Sequence, residues 1–517
     1  MRPVRSIALL LSLSLAPSLT IAQESPPKDA KPGAATPETE KPKPDTSVTE
    51  HSIQIGGKTI GYTATAGTLV LRSDKDEPEA QFGYTAYVMK GVTDPTKRPI
   101  TFAYNGGPGS SSIWLHMGAL GPRRIVTTDA GMTPPPPYQV VDNDQSILDV
   151  SDLVMIDPVG TGFSHALGKK ENKDFWGTDP DIASVSQFIF QYVSDNDRWN
   201  SPKFLLGESY GTTRSAGVVD YLWNEKGMAV NGVVLVSVAL DLEAIFQWPG
   251  NERPYPFFVP TFAATAWYHK ALPDQPEKLE PFLDEVRAWA MGPYRAALAK
   301  GDRLADEERS EIVSKLHEYT GLSEDYIRKA NLRVTEPEFT HELLNDQRQT
   351  VGRLDSRFTG FTFDQLGEGA EYDPQSEAVT AAYTAAFLDY YHRDLQYGRD
   401  KTYHVSAQVF GSWDFKHRVP GSRFPMPMVN TGVDLGQALG LNPNLRVLVL
   451  NGYFDLATPF LATEYMFSHL GLPPELAAHV TMKYFEAGHM MYLHPESLAQ
   501  MKSAVAGFIT ANDRIQP

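Results

Sequence analysis

The chain has 517 residues, 42% of them hydrophobic and 21% charged, which is typical of a soluble globular protein with a large core. Its formal net charge of −17 argues against a nucleic-acid-binding protein, because such proteins need a basic surface that neutralises phosphates. The sequence has no cysteine, which excludes disulfides, thiol catalysis and cysteine-bound zinc or iron–sulfur centres.

Residues 1–22 have the pattern of a secretory signal peptide. Two arginines precede an apolar run, and small residues ending at Ala22 mark the expected cleavage site. A transmembrane helix is disfavoured because the run is short, contains Pro17 and is followed by polar sequence. We therefore expect a secreted or periplasmic protein that has no membrane span after signal removal.

The next segment, residues 23–50, is predicted to be a disordered linker. It is rich in proline and lysine, and Val48 is its only large aliphatic residue, so it cannot bury enough surface to become ordered. Beyond it, SIQIGGKTIGYTATAGTLVL predicts two strands joined by a Gly-Gly turn, and FGYTAYVM predicts another strand.

Four apolar runs then have the composition of buried β-strands: PITFAY, DLVMID, KFLLG and VNGVVLVSV. Helical stretches such as residues 182–193 separate them, which predicts an α/β fold with a mostly parallel sheet buried on both faces. The first three runs lead into the unusual sequences NGGPGSSS, PVGTGFS and ESYG. Because the active sites of open α/β sheets form beyond the carboxyl ends of the strands, these loops are the candidate site.

The sequence changes character between residues 242 and 438, where it becomes rich in aromatic residues, proline and helical stretches. We expect a largely helical cap inserted into the core, with helices at 277–300, 306–319 and 323–330. Strand patterns return in LRVLVLNG and VTMKYFEAGH, and a last helix is expected at 495–511. The predicted organisation is a core in two parts, 51–241 and 439–517, with the cap, 242–438, between them.

The sequence GESYG places Ser209 between Gly207 and Gly211. A G-x-S-x-G pattern alone is common by chance, but here a strand leads into it and a helix-compatible sequence leads out. That order is the strand–turn–helix of a nucleophile elbow, in which the turn is too tight for side chains beside the serine.

A serine hydroxyl becomes a good nucleophile only when a base takes its proton and an acid orients that base. In α/β-hydrolases the acid and then the base follow the serine along the chain, each after a late strand. Asp455 follows the strand predicted in LRVLVLNG, and His489 follows the one predicted in VTMKYFEAGH. The pattern predicts an α/β-hydrolase fold with Ser209, Asp455 and His489 as a catalytic triad.

Each of these side chains also has a structural alternative. A loop aspartate is most often a turn former, and a lone histidine is most often structural. Asp157 is a competing triad acid, but it precedes the serine and its Asp-Pro sequence favours a turn. His494 and His489 are not spaced as a helical metal-binding pair, and no carboxylate motif supports one. We expect neither a metal nor an organic cofactor.

The glycine-rich sequence NGGPGSSS lacks the Gly-Lys-Ser/Thr ending of a phosphate-binding loop, and GTGFSH lacks the third glycine of a dinucleotide fingerprint. A glycine-rich loop after an early core strand instead suits an oxyanion hole, together with the residue that follows the nucleophile. The backbone N–H groups of Gly107 and Tyr210 are the predicted donors.

The chain resembles the serine carboxypeptidases (peptidase family S10) of the α/β-hydrolase superfamily. The resemblance rests on NGGPGSSS with the nearby LGP, on DPVGTGFS, on GESYG, and on the strand ends NGYFD and GHM. It implies Ser209, Asp455 and His489 as the triad and Gly107 and Tyr210 as the oxyanion hole. It also implies hydrolysis of the last peptide bond of a peptide or protein that has a free C-terminus.

The resemblance further implies that Asn105 and Glu208 hydrogen-bond the free carboxylate of the substrate. A glutamate can donate such a bond only when it is protonated, since an ionised carboxylate accepts only and would repel the substrate. We therefore expect binding to favour mildly acidic pH.

Three positions depart from the family pattern: Ala103 replaces a usual tryptophan, Ala119 a usual glutamate and Ser110 a usual cysteine. The glutamate is half of the family's usual carboxylate-binding pair, so strict exopeptidase specificity is left open. The candidate substitutes, chosen because they are close in sequence, are Trp114, His116, Arg123 and Arg124. The alternatives are a serine esterase or acyltransferase with the same triad, and a binding protein on an inactive hydrolase scaffold.

Overall fold

The computed structural model describes residues 45–514. The predicted signal peptide and most of the predicted linker lie outside these residues. The first strand begins at Thr46, so residues 46–50, which we assigned to the linker, belong to the sheet. Their backbone pairs with the next strand across the expected Gly-Gly turn, and this pairing orders a segment whose side chains bury little surface.

The described residues contain a central ten-stranded sheet and two small two-stranded sheets. The strands are β1 (Thr46–Ile55), β2 (Lys58–Arg72), β3 (Pro78–Met89), β4 (Ile100–Tyr104), β5 (Arg123–Ile125), β6 (Val140–Asp142), β7 (Asp152–Ile156), β8 (His165–Ala166), β9 (Lys203–Ser209), β10 (Gly232–Val238), β11 (Gln349–Val351), β12 (Thr359–Phe361), β13 (Arg446–Gly452) and β14 (Val480–Phe485).

The central sheet has the order β1-β2-β3-β7-β4-β9-β10-β13-β14, with β8 paired to β3. The six strands from β7 to β14 run parallel, whereas β1, β2 and β3 form an antiparallel edge. The predicted strands of the core are confirmed, and so is a mostly parallel sheet of the α/β-hydrolase type.

The helices are α1 (Ile113–Leu115), α2 (Thr178–Asp195), α3 (Tyr210–Lys226), α4 (Pro254–Tyr268), α5 (Leu279–Trp289), α6 (Arg295–Lys300), α7 (Asp306–Thr320), α8 (Glu324–Lys329), α9 (Glu336–Glu342), α10 (Pro374–Arg393), α11 (Gly432–Leu441), α12 (Phe460–Ser468), α13 (Pro474–Ala477) and α14 (Pro495–Asn512). No helix in this described part of the chain is both long and apolar enough to cross a bilayer.

Both faces of the parallel sheet are buried, as the continuous apolar runs predict. On β10, Val233 and Leu235 belong to a core that includes side chains of α2, α3 and α11. Val234 and Val236 point to the opposite face, where the core includes side chains of α10 and α14. Alternate residues of one strand therefore anchor helices on both sides of the sheet.

The region predicted as the cap is largely helical, since it contains α4 to α10. A third core joins α4, α5, α7 and α8 to α12, which lies after the cap in sequence. The last helix of this region, α11, begins at Gly432 and packs on α3, so the core resumes before the expected boundary at residue 438. The predicted helix 277–300 is present as α5 and α6, joined by a wider turn that contains Pro293.

Three buried charges tie the start of β7 to its surroundings. Asp152 accepts a hydrogen bond from Arg98 Nε at 2.9 Å and another from Arg198 Nη1 at 2.7 Å. All three side chains are buried, and the arginines also donate to backbone carbonyls. Removing one member of such a cluster leaves a buried charge without compensation.

We predict that Asp152→Asn lowers the free energy of unfolding by about 3–5 kcal/mol, because two buried guanidinium groups lose their counter-charge. Urea unfolding followed by circular dichroism measures the effect. The matched control is Asp389→Asn, which removes one partner of an exposed ion pair with Arg393 and should leave the midpoint unchanged. Equal midpoints for the two variants would contradict the prediction.

Candidate active site

Ser209 lies at the junction between β9 and α3, with φ 61° and ψ −129°. A positive φ is strained for any residue with a Cβ, and such strain is typical of functional positions. The flanking glycines make the turn possible. A Cβ added at Gly207 would overlap the backbone of Gly211, and one at Gly211 would lie 2.8 Å from the Tyr104 carbonyl oxygen.

His489 and Asp455 are in direct contact. His489 Nδ1 lies 2.8 Å from Asp455 Oδ2, and the other carboxylate oxygen accepts the backbone N–H groups of Ala457 and Thr458, each at 2.9 Å. Burial opposes a charge on His489, but the adjacent Asp455 carboxylate outweighs burial and raises the pKa of the imidazole. The pair is thus arranged to stabilise an imidazolium.

Ser209 and His489 line the same cavity, together with Thr458 beside the acid. Within residues 45–514, however, no hydrogen bond joins Ser209 Oγ to His489 Nε2. Catalytic hydrogen bonds of this kind often form or shorten only when substrate binds. The structure therefore brings the three predicted triad residues to one site and forms the histidine–aspartate contact, but not the serine–histidine contact.

Asp157, the alternative triad acid, contacts a different loop. It is buried, and its Oδ1 accepts the backbone N–H of Ser112 at 2.8 Å. Burial raises the pKa of Asp157 to about 6. Its contact with Ser112 orders the glycine-rich loop that follows β4.

The predicted oxyanion-hole residues, Gly107 and Tyr210, both line the cavity. Tyr210 is the first residue of α3, a position at which the backbone N–H has no acceptor within the helix and the helix dipole is positive. The glycine-rich loop lies directly against this turn, since a Cβ added at Gly106 would overlap the backbone nitrogen of Tyr210. The two predicted donors thus lie on adjoining loops.

Asn105 and Glu208 form a buried pair at the wall of the cavity. Asn105 Nδ2 donates to Glu208 Oε1 at 2.9 Å, and Asn105 Oδ1 accepts the backbone N–H of Leu115 at 3.0 Å. Burial raises the pKa of Glu208 to about 7, although His489 acts to lower it. The Tyr492 hydroxyl is also close enough to lower this pKa, but neither it nor Glu208 Oε2 completes a hydrogen bond within the described residues.

The four side chains considered as substitutes for the missing glutamate are placed differently. Trp114 lines the cavity and donates from Nε1 to Ser110 Oγ at 2.9 Å. His116 is buried against the Tyr87 hydroxyl, and burial lowers its pKa to about 3, so it is uncharged at neutral pH. Arg123 is paired with Asp142. Neither Arg123 nor its neighbour Arg124 lines the cavity.

The cavity has a volume of about 410 Å³, and the cap supplies much of its wall. An apolar part includes Phe246, Phe410 and Phe415. Beside it, Trp413 Nε1 donates to the Tyr210 hydroxyl at 3.1 Å, which ties the cap to the first residue of α3. The contact of Trp413 with Tyr210 was not predicted, because nothing in the local sequence GSWDF indicates contact with a turn two hundred residues earlier.

One cap segment, residues 352–358 (GRLDSRF), lies between the loops that carry Asp455 and His489. The backbone N–H of His489 donates to the Leu354 carbonyl at 2.6 Å, and that of Gly488 donates to Asp355 Oδ2 at 3.1 Å. On the other side, the backbone N–H of Leu456 donates to the Arg353 carbonyl at 3.0 Å. This segment therefore connects the acid loop to the base loop.

Comparisons with known proteins agree with the motifs and the fold. Residues 73–231 match the family model described as serine carboxypeptidase. Serine carboxypeptidase-like 46 and 45 of Arabidopsis thaliana are each 26% identical, over 193 and 210 residues, which are 35% and 37% of this chain. The chain spans only 38% and 41% of the lengths of these two relatives.

A solved structure extends the fold comparison to most of the chain. It is Kex1Δp of Saccharomyces cerevisiae, described as a prohormone-processing carboxypeptidase. It aligns with a TM-score of 0.55 over 87% of this chain and 91% of that chain, at 14% sequence identity, which is evidence for the fold alone. The family match therefore relates residues 73–231 to the serine carboxypeptidases, and the structural alignment supports an α/β-hydrolase fold over most of the chain.

Proposed function

We propose that the protein is a secreted serine carboxypeptidase that hydrolyses C-terminal peptide bonds through an acyl-enzyme intermediate. The observation that carries the proposal is the 2.8 Å contact between His489 and Asp455. His489 lines the same cavity as Ser209, which lies at a strained turn. The family match and the pattern of a secretory signal peptide support the same conclusion.

In the proposed reaction, Ser209 Oγ attacks the carbonyl carbon of the last peptide bond while His489 Nε2 takes the hydroxyl proton. Asp455 orients the imidazole and stabilises its positive charge. The tetrahedral intermediate carries its negative charge on the former carbonyl oxygen, to which the N–H groups of Gly107 and Tyr210 donate.

The intermediate collapses when the C–N bond breaks and His489 gives its proton to the departing amine. The rest of the peptide is then an ester of Ser209. A water molecule, deprotonated by His489, attacks that ester, and the proton returns to Ser209 as the shortened peptide leaves. No step requires a metal or an organic cofactor.

Glu208 and Asn105 supply the proposed binding site for the C-terminal carboxylate. With its pKa raised by burial to about 7, Glu208 is largely protonated at mildly acidic pH and can donate from the oxygen that lacks a partner in the described residues. His489 must be neutral to act as base, so its raised pKa limits the rate on the acidic side. These two opposing requirements favour a pH optimum between acidic and neutral values.

The second candidate is a serine esterase or acyltransferase that uses the same triad. The observation that favours it is Ala119, which stands where the family's second carboxylate-binding glutamate is expected and lies buried among apolar side chains. Such an enzyme would not require a free C-terminal carboxylate on its substrate.

We predict that Ser209→Ala lowers kcat for a peptide with a free C-terminus by roughly 10⁶-fold, because the triad acts as a unit. Stopped assays with chromatographic detection of the released amino acid measure the rate. Ser110→Ala is the matched control, since this serine lines the cavity without belonging to the triad, and it should retain most of the activity. Near-normal turnover by Ser209→Ala would end the proposal.

The pH dependence of KM and the cleavage of an amidated peptide together separate the two candidate functions. For a free C-terminus, KM should rise by about tenfold per pH unit above pH 7, as Glu208 ionises and repels the carboxylate. Glu208→Gln, which keeps an uncharged donor at every pH, should give a flat KM profile for the same peptide. The amidated peptide should be cleaved poorly throughout. Equal cleavage of free and amidated peptides would instead favour the esterase or acyltransferase.

A further inference from the structure

Arg353 is the one arginine or lysine among the cavity-lining residues of the described chain. The other ionisable side chains in that lining are Glu208, Tyr210 and His489. The Arg353 side chain is 49% exposed, and it stands on the cap segment 352–358. A permanent positive charge is thus available at the cavity in which Ser209 lies.

The backbone on both sides of Arg353 is fixed by hydrogen bonds. Its own N–H donates to Asp373 Oδ2 at 2.7 Å, and its carbonyl accepts the N–H of Leu456, the residue after Asp455. The next carbonyl, of Leu354, accepts the N–H of His489. These hydrogen bonds therefore fix the backbone of Arg353 relative to the loops that carry Asp455 and His489.

The guanidinium of Arg353 is only loosely paired. Its Nε lies 3.5 Å from Glu336 Oε2, and within residues 45–514 its two Nη groups donate no hydrogen bond. Burial raises the pKa of Glu336 to about 7, so this neighbour loses its negative charge at mildly acidic pH. The charge of Arg353 also reaches the catalytic imidazole, where it acts to lower the pKa of His489.

We propose that Arg353 binds a carboxylate of the substrate in the cavity. The proposal rests on the proposed function. A guanidinium with two free Nη groups is suited to a carboxylate, which it holds through two parallel hydrogen bonds. Two sources have this chemistry: the C-terminal α-carboxylate, shared with Glu208 and Asn105, and the side chain of an acidic residue next to the scissile bond.

The test measures how strongly blocked dipeptides compete with p-nitrophenyl acetate, a neutral ester that carries no carboxylate. Four N-acetylated dipeptides differ only in the last residue, which is phenylalanine, phenylalaninamide, glutamate α-amide or glutamine α-amide. The competition constant reports binding whether or not the dipeptide is cleaved. Cleavage of the dipeptide ending in phenylalanine by the unaltered protein is recorded separately, and its absence would count against the proposed function alone.

Arg353→Gln should weaken competition by the carboxylate-bearing dipeptides by roughly 10- to 100-fold. Arg353→Lys should weaken it less, because lysine keeps the positive charge but cannot donate two parallel hydrogen bonds to a carboxylate. The control Arg328→Gln removes an exposed arginine of α8 that does not line the cavity, and should change nothing. A loss confined to the free phenylalanine dipeptide identifies the α-carboxylate, and a loss confined to the glutamate amide identifies the side chain. Unchanged competition by all four dipeptides in Arg353→Gln would overturn the proposal.

Discussion

The candidate active site depends on one close backbone contact, between the glycine-rich loop after β4 and the turn after β9. These strands are adjacent and parallel, with Tyr104 opposite Gly207, so their carboxyl ends emerge side by side. A side chain at Gly106 would push the loop away from the Tyr210 nitrogen. The sheet thus brings two loops together, and the missing side chain at Gly106 lets the glycine-rich loop approach the Tyr210 nitrogen, where we propose the oxyanion hole.

The cap lines this site and also contacts the two loops that carry the proposed acid and base. Segment 352–358 bonds to the loops that carry Asp455 and His489, and a Cβ at Gly488 would overlap Asp355. Arg357 in turn forms a bidentate pair with the Asp355 carboxylate, and both side chains are buried. The insertion and the core are therefore joined beside the proposed triad.

The sequence predicted the elements that carry the proposed site because each is a short apolar run ending in an unusual loop. It did not predict α4, which is apolar on all sides and contains Pro260, so that no helical period is visible. Nor did it predict Arg353 at this site, since its position comes from tertiary contacts with loops about a hundred residues later. The edge strand at Thr46 was missed because backbone pairing, rather than buried side chains, orders it.

The most direct test of the central claim is covalent labelling with a fluorophosphonate, followed by intact mass measurement and peptide mapping. If the base and the acid activate a single alcohol at the elbow, one phosphonyl group should be added per chain, on the peptide that contains Ser209, and His489→Ala should label far more slowly. A label on any other residue, or an equal labelling rate in His489→Ala, would contradict the account.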